Sequence, residues 1–160
     1  MEPALPVEEL ASQRLKIMVY SYSLFTKNLM EEGVELEKVK KASDKTWAIL
    51  GQQTAEQLKP LFGENVNIEA IQQSGEMATS VHGMEMIEEI SGNTIESKVT
   101  KCPWQAANLA IDMPGDWRLC QSGHLAFTQN MYKGLIPNAK YELTEKMPSG
   151  DQICVGRTSI

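Results

Sequence analysis

A cysteine and a histidine four residues apart, Cys120 and His124 in the stretch CQSGHLAFTQN, stand out first in this 160-residue chain. On a helix, residues i and i+4 share a face about 6 Å apart, so a thiol and an imidazole there address one point, with Thr128 one turn further on. A base beside a thiol raises the share that is thiolate, and the thiolate is the nucleophile. The nearby Leu119, Phe127 and Met131 are what a core-facing helix needs, so the pair also suits packing. Cys102 stands where a strand gives way to a helix that opens Pro103-Trp104. The positive end of a helix dipole and its free N–H groups lower a thiol's pKa, which suits a nucleophile or a ligand; a small apolar filler is the plain alternative. Trp104 beside it, with Thr128 and Glu142, is a candidate substrate contact. The third cysteine, Cys154, lies across a C-terminal hairpin from Glu142. A three-residue loop brings the two to one face, and a two- or four-residue loop turns Cys154 toward Glu145. A charged residue midway along an inner strand is costly unless paired or metal-bound, so Glu142 matters if that face is buried. His82, after a weakly defined helix, reads as a surface or capping residue.

Two long helices come first. Leu10, Leu15, Met18, Tyr22, Phe25 and Leu29 keep the helical period over residues 7–32, which Gly33 stops. Val39, Trp47, Leu50, Leu58 and Leu61 are the apolar side of a second helix over 36–61, ended by Pro60 and Gly63. Asn67 can cap a third over 68–84, weakened by the internal Gly75. The period then changes to two strands, about 84–91 and 94–101, around Gly92-Asn93. Pro103 opens a short helix. Asp116 is a good N-cap for a helix over 117–134 that Gly134 closes. Strand-like runs AKYELTEKM and QICVGRTS flank the turn Pro148-Ser149-Gly150-Asp151. The expectation is α+β: N-terminal helices packed on a small antiparallel sheet of about four strands, made of two hairpins with a helical segment between them. Residues 1–83 form a mainly helical scaffold and 84–160 a hairpin-helix-hairpin part, in one domain spanning 1–160.

Composition narrows the function. The net charge of −6, with 15 basic residues scattered among 21 acids, argues against nucleic acid. Hydrophobic residues at 42% and charged residues at 22% are ordinary for a soluble globular protein. Neither an export signal nor a membrane span is found, so a cytoplasmic location is expected, with the three cysteines as free thiols. There is no Gly-rich phosphate loop, G-x-S-x-G elbow, H-E-x-x-H or C-x-x-C pair. The apolar area of the two long helices suits a homodimer.

Three stretches, KCPW at 101–104, WRLCQSGH at 117–124 and LIPNAKYELTEKMPSGDQIC at 135–154, together resemble the L-2-amino-thiazoline-4-carboxylic acid hydrolase family. Cys102, Cys120, Glu142, Thr144, Gly150, Asp151 and Cys154 match its pattern, over roughly residues 84–160. The resemblance implies a hydrolase that opens a C–N bond of a small cyclic amidine or thiazoline, in the founding case giving N-carbamoyl-L-cysteine. The same C-terminal layout is similar to 4-vinyl-reductase-type ligand-binding domains, in which a helix cysteine and a glutamate and cysteines of the final hairpin hold zinc. Cys120, Glu142 and Cys154 fall at matching places, and Lys146 stands where a further hairpin cysteine would be. His124 stands where the hydrolase pattern has an acidic residue. Two mechanisms fit: attack by a Cys120 or Cys102 thiolate with His124 moving protons, or a zinc ion on Cys120, Cys154 and Glu142 or His124 that activates a water. The alternative is a non-catalytic, sensor-like module that binds a small molecule, with a structural Cys/Glu metal site.

Overall fold

Acidic residues in the first turn and small residues along one side shape the two long helices. The computed structural model describes residues 6–63 and 66–160. α1 (Val7–Glu31) carries Glu8 and Glu9 in its first turn, where negative charge meets the positive helix end. α2 (Leu36–Phe62) and α3 (Ile68–Val81) follow, and the Asn67 side chain accepts the Ala70 N–H to cap α3. Strands β1 (Glu85–Ser91) and β2 (Thr94–Lys101) form a hairpin, with Gly92 at φ 59° in its two-residue loop. Then come α4 (Pro103–Ala110), α5 (Cys120–Leu135), β3 (Lys140–Glu145) and β4 (Cys154–Ser159). The four strands make one antiparallel sheet in the order β1-β2-β4-β3. Five helices against a four-stranded antiparallel sheet is the α+β class that the sequence suggests.

α5 is the central element. It packs against α2 on one side and β3 on the other. Its Phe127, Met131, Tyr132 and Leu135 join Ile71, Ile95 and Tyr141 in the main core, where burying each large apolar side chain contributes about 1.5–3 kcal/mol. The inner face of the sheet carries Ile95, Ser97 and Val99 of β2, all buried.

Three local expectations are corrected. α5 begins at Cys120 rather than Trp117, and Asp116 does not cap it. Residues Gly115–Trp117 form a 3₁₀ turn, and Arg118 leaves helical geometry while its Nε donates to the Met113 carbonyl at 2.9 Å. On α1 the inward residues are Val19, Ser23 and Thr26, whereas Met18 and Phe25 point outward, 51% and 61% exposed, beside Ile17 and Leu24. A helix with apolar residues on both sides gives a period that fits either face. On α2 the buried residues are Val39, Ser43, Gly51 and Ala55, while Leu50 and Leu61 are exposed. Small residues face inward there because α5 lies so close. Among the described residues no helix is long and apolar enough to cross a membrane.

The close approach centres on Gly51, where a Cβ would run into the Phe127 carbonyl oxygen and lie 3.1 Å from the Met131 nitrogen. Backbone cannot yield as a side chain can. Gly51→Ala is therefore expected to lower stability by about 1–3 kcal/mol or more, read as the urea midpoint; an unchanged midpoint would contradict the packing described.

Candidate functional site

The three thiols, far apart in sequence, line one pocket. Cys102 closes β2 and precedes α4, Cys120 opens α5, and Cys154 opens β4. The pocket holds about 680 Å³ of space, including its opening to solvent. Its wall is aromatic. Trp47 of α2 stands edge-on to Trp104 of α4, with ring centroids 5.3 Å apart and an interplanar angle of 82°. Tyr22 of α1 meets Trp104 at 5.5 Å and Trp47 at 6.2 Å, and its hydroxyl lies 2.8 Å from Ser43 Oγ. Phe127 of α5 lies 6.1 Å from Trp47. Trp47 fits because residue 123 is glycine: a Cβ there would sit 2.6 Å from Trp47 Cδ1.

Both histidines border this pocket. His82, which the sequence reads as a surface or capping residue, does cap α3 through its backbone, but its ring turns inward, 5.3 Å from Phe127 and 6.0 Å from Trp47. Its ring makes no hydrogen bond to a described residue, and burial lowers its pKa. His124 Nε2 lies 2.8 Å from the Tyr141 hydroxyl. Burial pushes its pKa down to about 4, with His82 adding to the effect, and burial holds Tyr141 well above the usual range. At neutral pH both rings are uncharged.

The thiols follow the same rule. Burial, reinforced by Cys102 and Cys154, pushes Cys120 up to about 12. Cys154 is raised by burial although the Met147 N–H donates to its sulfur at 3.3 Å. Cys102 was expected to be lowered by its helix end. The N–H groups of Gln105 and Trp104 do favour its thiolate, but burial outweighs them and its pKa is raised. Desolvation wins because no cation lies among the causes that act on any of the three.

Glu142 does not join them. It is exposed on the outer face of the sheet and paired in register with Arg157, while its neighbour Leu143 lines the pocket. The register slips between Leu143 and Glu145, and residues 146–153 connect the strands through a 3₁₀ turn at Met147–Ser149. None of the short loops considered from sequence is formed. Among the described residues no three His, Cys, Asp or Glu side chains come together as a metal site, so the set Cys120, Glu142 and Cys154 does not fit zinc in this arrangement. Thr128 is buried and lines a second, smaller void behind the first. That void shares His82, His124 and Phe127 with the pocket and adds Thr79, Ser97 and Tyr132. Nearby, Ser97 donates to Glu88 Oε1 at 2.6 Å, and burial raises the Glu88 carboxyl to about 7.

Sequence spacing therefore brings Cys102, Trp104, Cys120, His124 and Cys154 to one place and misses Tyr22, Trp47 and His82. The available signal was a tyrosine and a tryptophan next to small residues on long helices, Tyr22 by Ser23 and Trp47 within reach of Ser43. Thiols of raised pKa react slowly at neutral pH. In the native protein at pH 7 all three are expected to alkylate with iodoacetamide at least about tenfold more slowly than in urea, with rates that climb as pH rises. Rapid labelling of one cysteine at pH 6–7 would show a thiolate that this environment does not support.

No family model matches the chain, and no curated protein matches it. Among solved structures, it is similar to the phenol-responsive sensory domain of the transcription activator PoxR, crystallised with phenol. The TM-score is 0.63 at 11% identity over 88% of this chain and 73% of that one. It is also similar to a trafficking protein particle complex subunit 3 from Naegleria fowleri covalently bound to palmitic acid, with a TM-score of 0.59 at 10% identity over 92% of this chain and 95% of that one. At such identities the likeness is one of fold.

Proposed function

We propose that this chain is a binding module for a small, mostly apolar molecule that carries an aromatic ring. The observation that supports it best is the wall of edge-on rings from four helices, Tyr22, Trp47, Trp104 and Phe127, around a pocket of about 680 Å³. Ligand pockets are lined this way, mostly by apolar and aromatic side chains with few polar groups to fix orientation. Rings prefer the edge-to-face contacts that such a wall offers. His82, neutral and without a partner, is available to a ligand hydroxyl, and the His124–Tyr141 pair offers a second contact. The similarity in fold to a phenol-responsive domain favours the same reading.

The hydrolase reading asks the same groups for the opposite behaviour. With Cys120 pushed up to about 12, thiolate at pH 7 is on the order of one part in 10⁵. A nucleophile needs a pKa near the working pH. The pocket holds its sulfur in the unreactive form, which favours binding over turnover.

Trp47 and Trp104 are natural reporters. Phenol and 4-methylphenol are expected to quench tryptophan fluorescence saturably, and His82→Leu to weaken both about tenfold while leaving toluene unaffected. No saturable response to any of them, or steady hydrolysis of a thiazoline that Cys120→Ala abolishes, would sink the reading. The open apolar side of α1, with Ile17, Met18, Leu24 and Phe25, further suits a second copy of the chain. Light scattering is expected to give twice the 17.8 kDa chain mass, reverting to one chain in Ile17→Glu/Phe25→Glu.

A further inference from the structure

Charge is absent from the pocket lining except at one side. Lys146, in the connection between β3 and β4, is the one charged residue that lines it among the described residues. It makes no ion pair with a described residue. Among the described residues no Asp or Glu side chain belongs to the lining. Asp151, the carboxylate on the same connection, is held by the backbone: it accepts the Lys146 N–H at 2.7 Å.

Gln121, in the first turn of α5, lines the same pocket. Its Oε1 lies 3.5 Å from the Ser149 hydroxyl, which leaves the amide N–H₂ as its free end. α4 and α5 both begin at lining cysteines and neither has a side-chain cap. Their first free N–H groups already turn to the Cys102 and Cys120 sulfurs, so the side-chain charge of Lys146 and the Gln121 amide are what the lining offers an anion. A low-dielectric wall strengthens the pull of a lining charge, and the charge in this lining is the Lys146 ammonium, with Asp151 felt from outside it at Cys154.

We propose that the natural ligand is an apolar acid, its ring among the tryptophans and its carboxylate received by Lys146 Nζ and the Gln121 amide. This rests on the binding-module reading and names the ligand class within it. The carboxylate supplies the counter-charge that no residue of the lining provides. Lys146, a departure from a cysteine pattern when read in sequence, is then the specificity-determining residue.

Phenylacetate and 2-phenylethanol share the apolar body and differ in charge, so they separate the two claims. In wild type, the acid is expected to bind about tenfold or more tightly than the alcohol, by fluorescence and calorimetry at low salt. Lys146→Met should cost the acid about tenfold and leave the alcohol unchanged, and Lys146→Arg should restore the acid. Equal affinity of the two probes, or an equal loss of both in Lys146→Met at unchanged thermal midpoint, overturns the anionic proposal while leaving the pocket reading intact. If wild type binds phenol but neither probe, this proposal fails alone; if it binds none of the three, the pocket reading fails with it.

Discussion

The close contact between α2 and α5 is the constraint on which the rest depends. Gly51 lets the α2 backbone reach Phe127 and Met131, Gly123 makes room for the Trp47 ring, and Gly134 lies against Ala55. With the helices this near, the first turn of α5 is carried to the ends of β2 and β4, where Cys120 meets the other two thiols. A wider spacing would leave Trp47 stacked on a helix surface instead of standing in the pocket wall. Packing density, more than any single polar contact, sets the site.

That packing also decides the chemistry. Two imidazoles, three thiols and two tyrosines are wholly or largely buried, and burial favours the uncharged form of each. The same list of residues, opened to solvent or given a neighbouring cation, would make a nucleophile and a base. Residue identity suits both an enzyme and a receptor, and burial is what favours the proposed receptor reading. The uncharged form offers hydrogen bonds and soft surface, which are the needs of a receptor for small apolar molecules.

The architecture was largely legible, because period changes and turn residues are local signals. Gly92-Asn93 marks the first hairpin, and the strand residues near it alternate as they must. The convergence of Cys102, Cys120 and Cys154 on one pocket was expected from the family resemblance, since only Cys102 read as lying at an element end. What failed was long-range. The inward side of α1 was ambiguous because Met18 and Phe25 continue the period as well as Val19 does, and only the position of α4 decides between them. His82 read as a surface or capping residue; the cap formed, but the inward turn of its ring was hidden because its surroundings come from α2 and α5, far off in sequence. Glu142 read as a ligand because its strand's register is set by a slip between Leu143 and Glu145 that no turn signal announces.

The raised thiols carry a consequence for how long this protein keeps its sulfur reduced. Peroxide and disulfide exchange both attack the thiolate, so their rates fall with the ionised fraction. A site whose cysteines favour the protonated form is expected to oxidise more slowly than one that holds a thiolate.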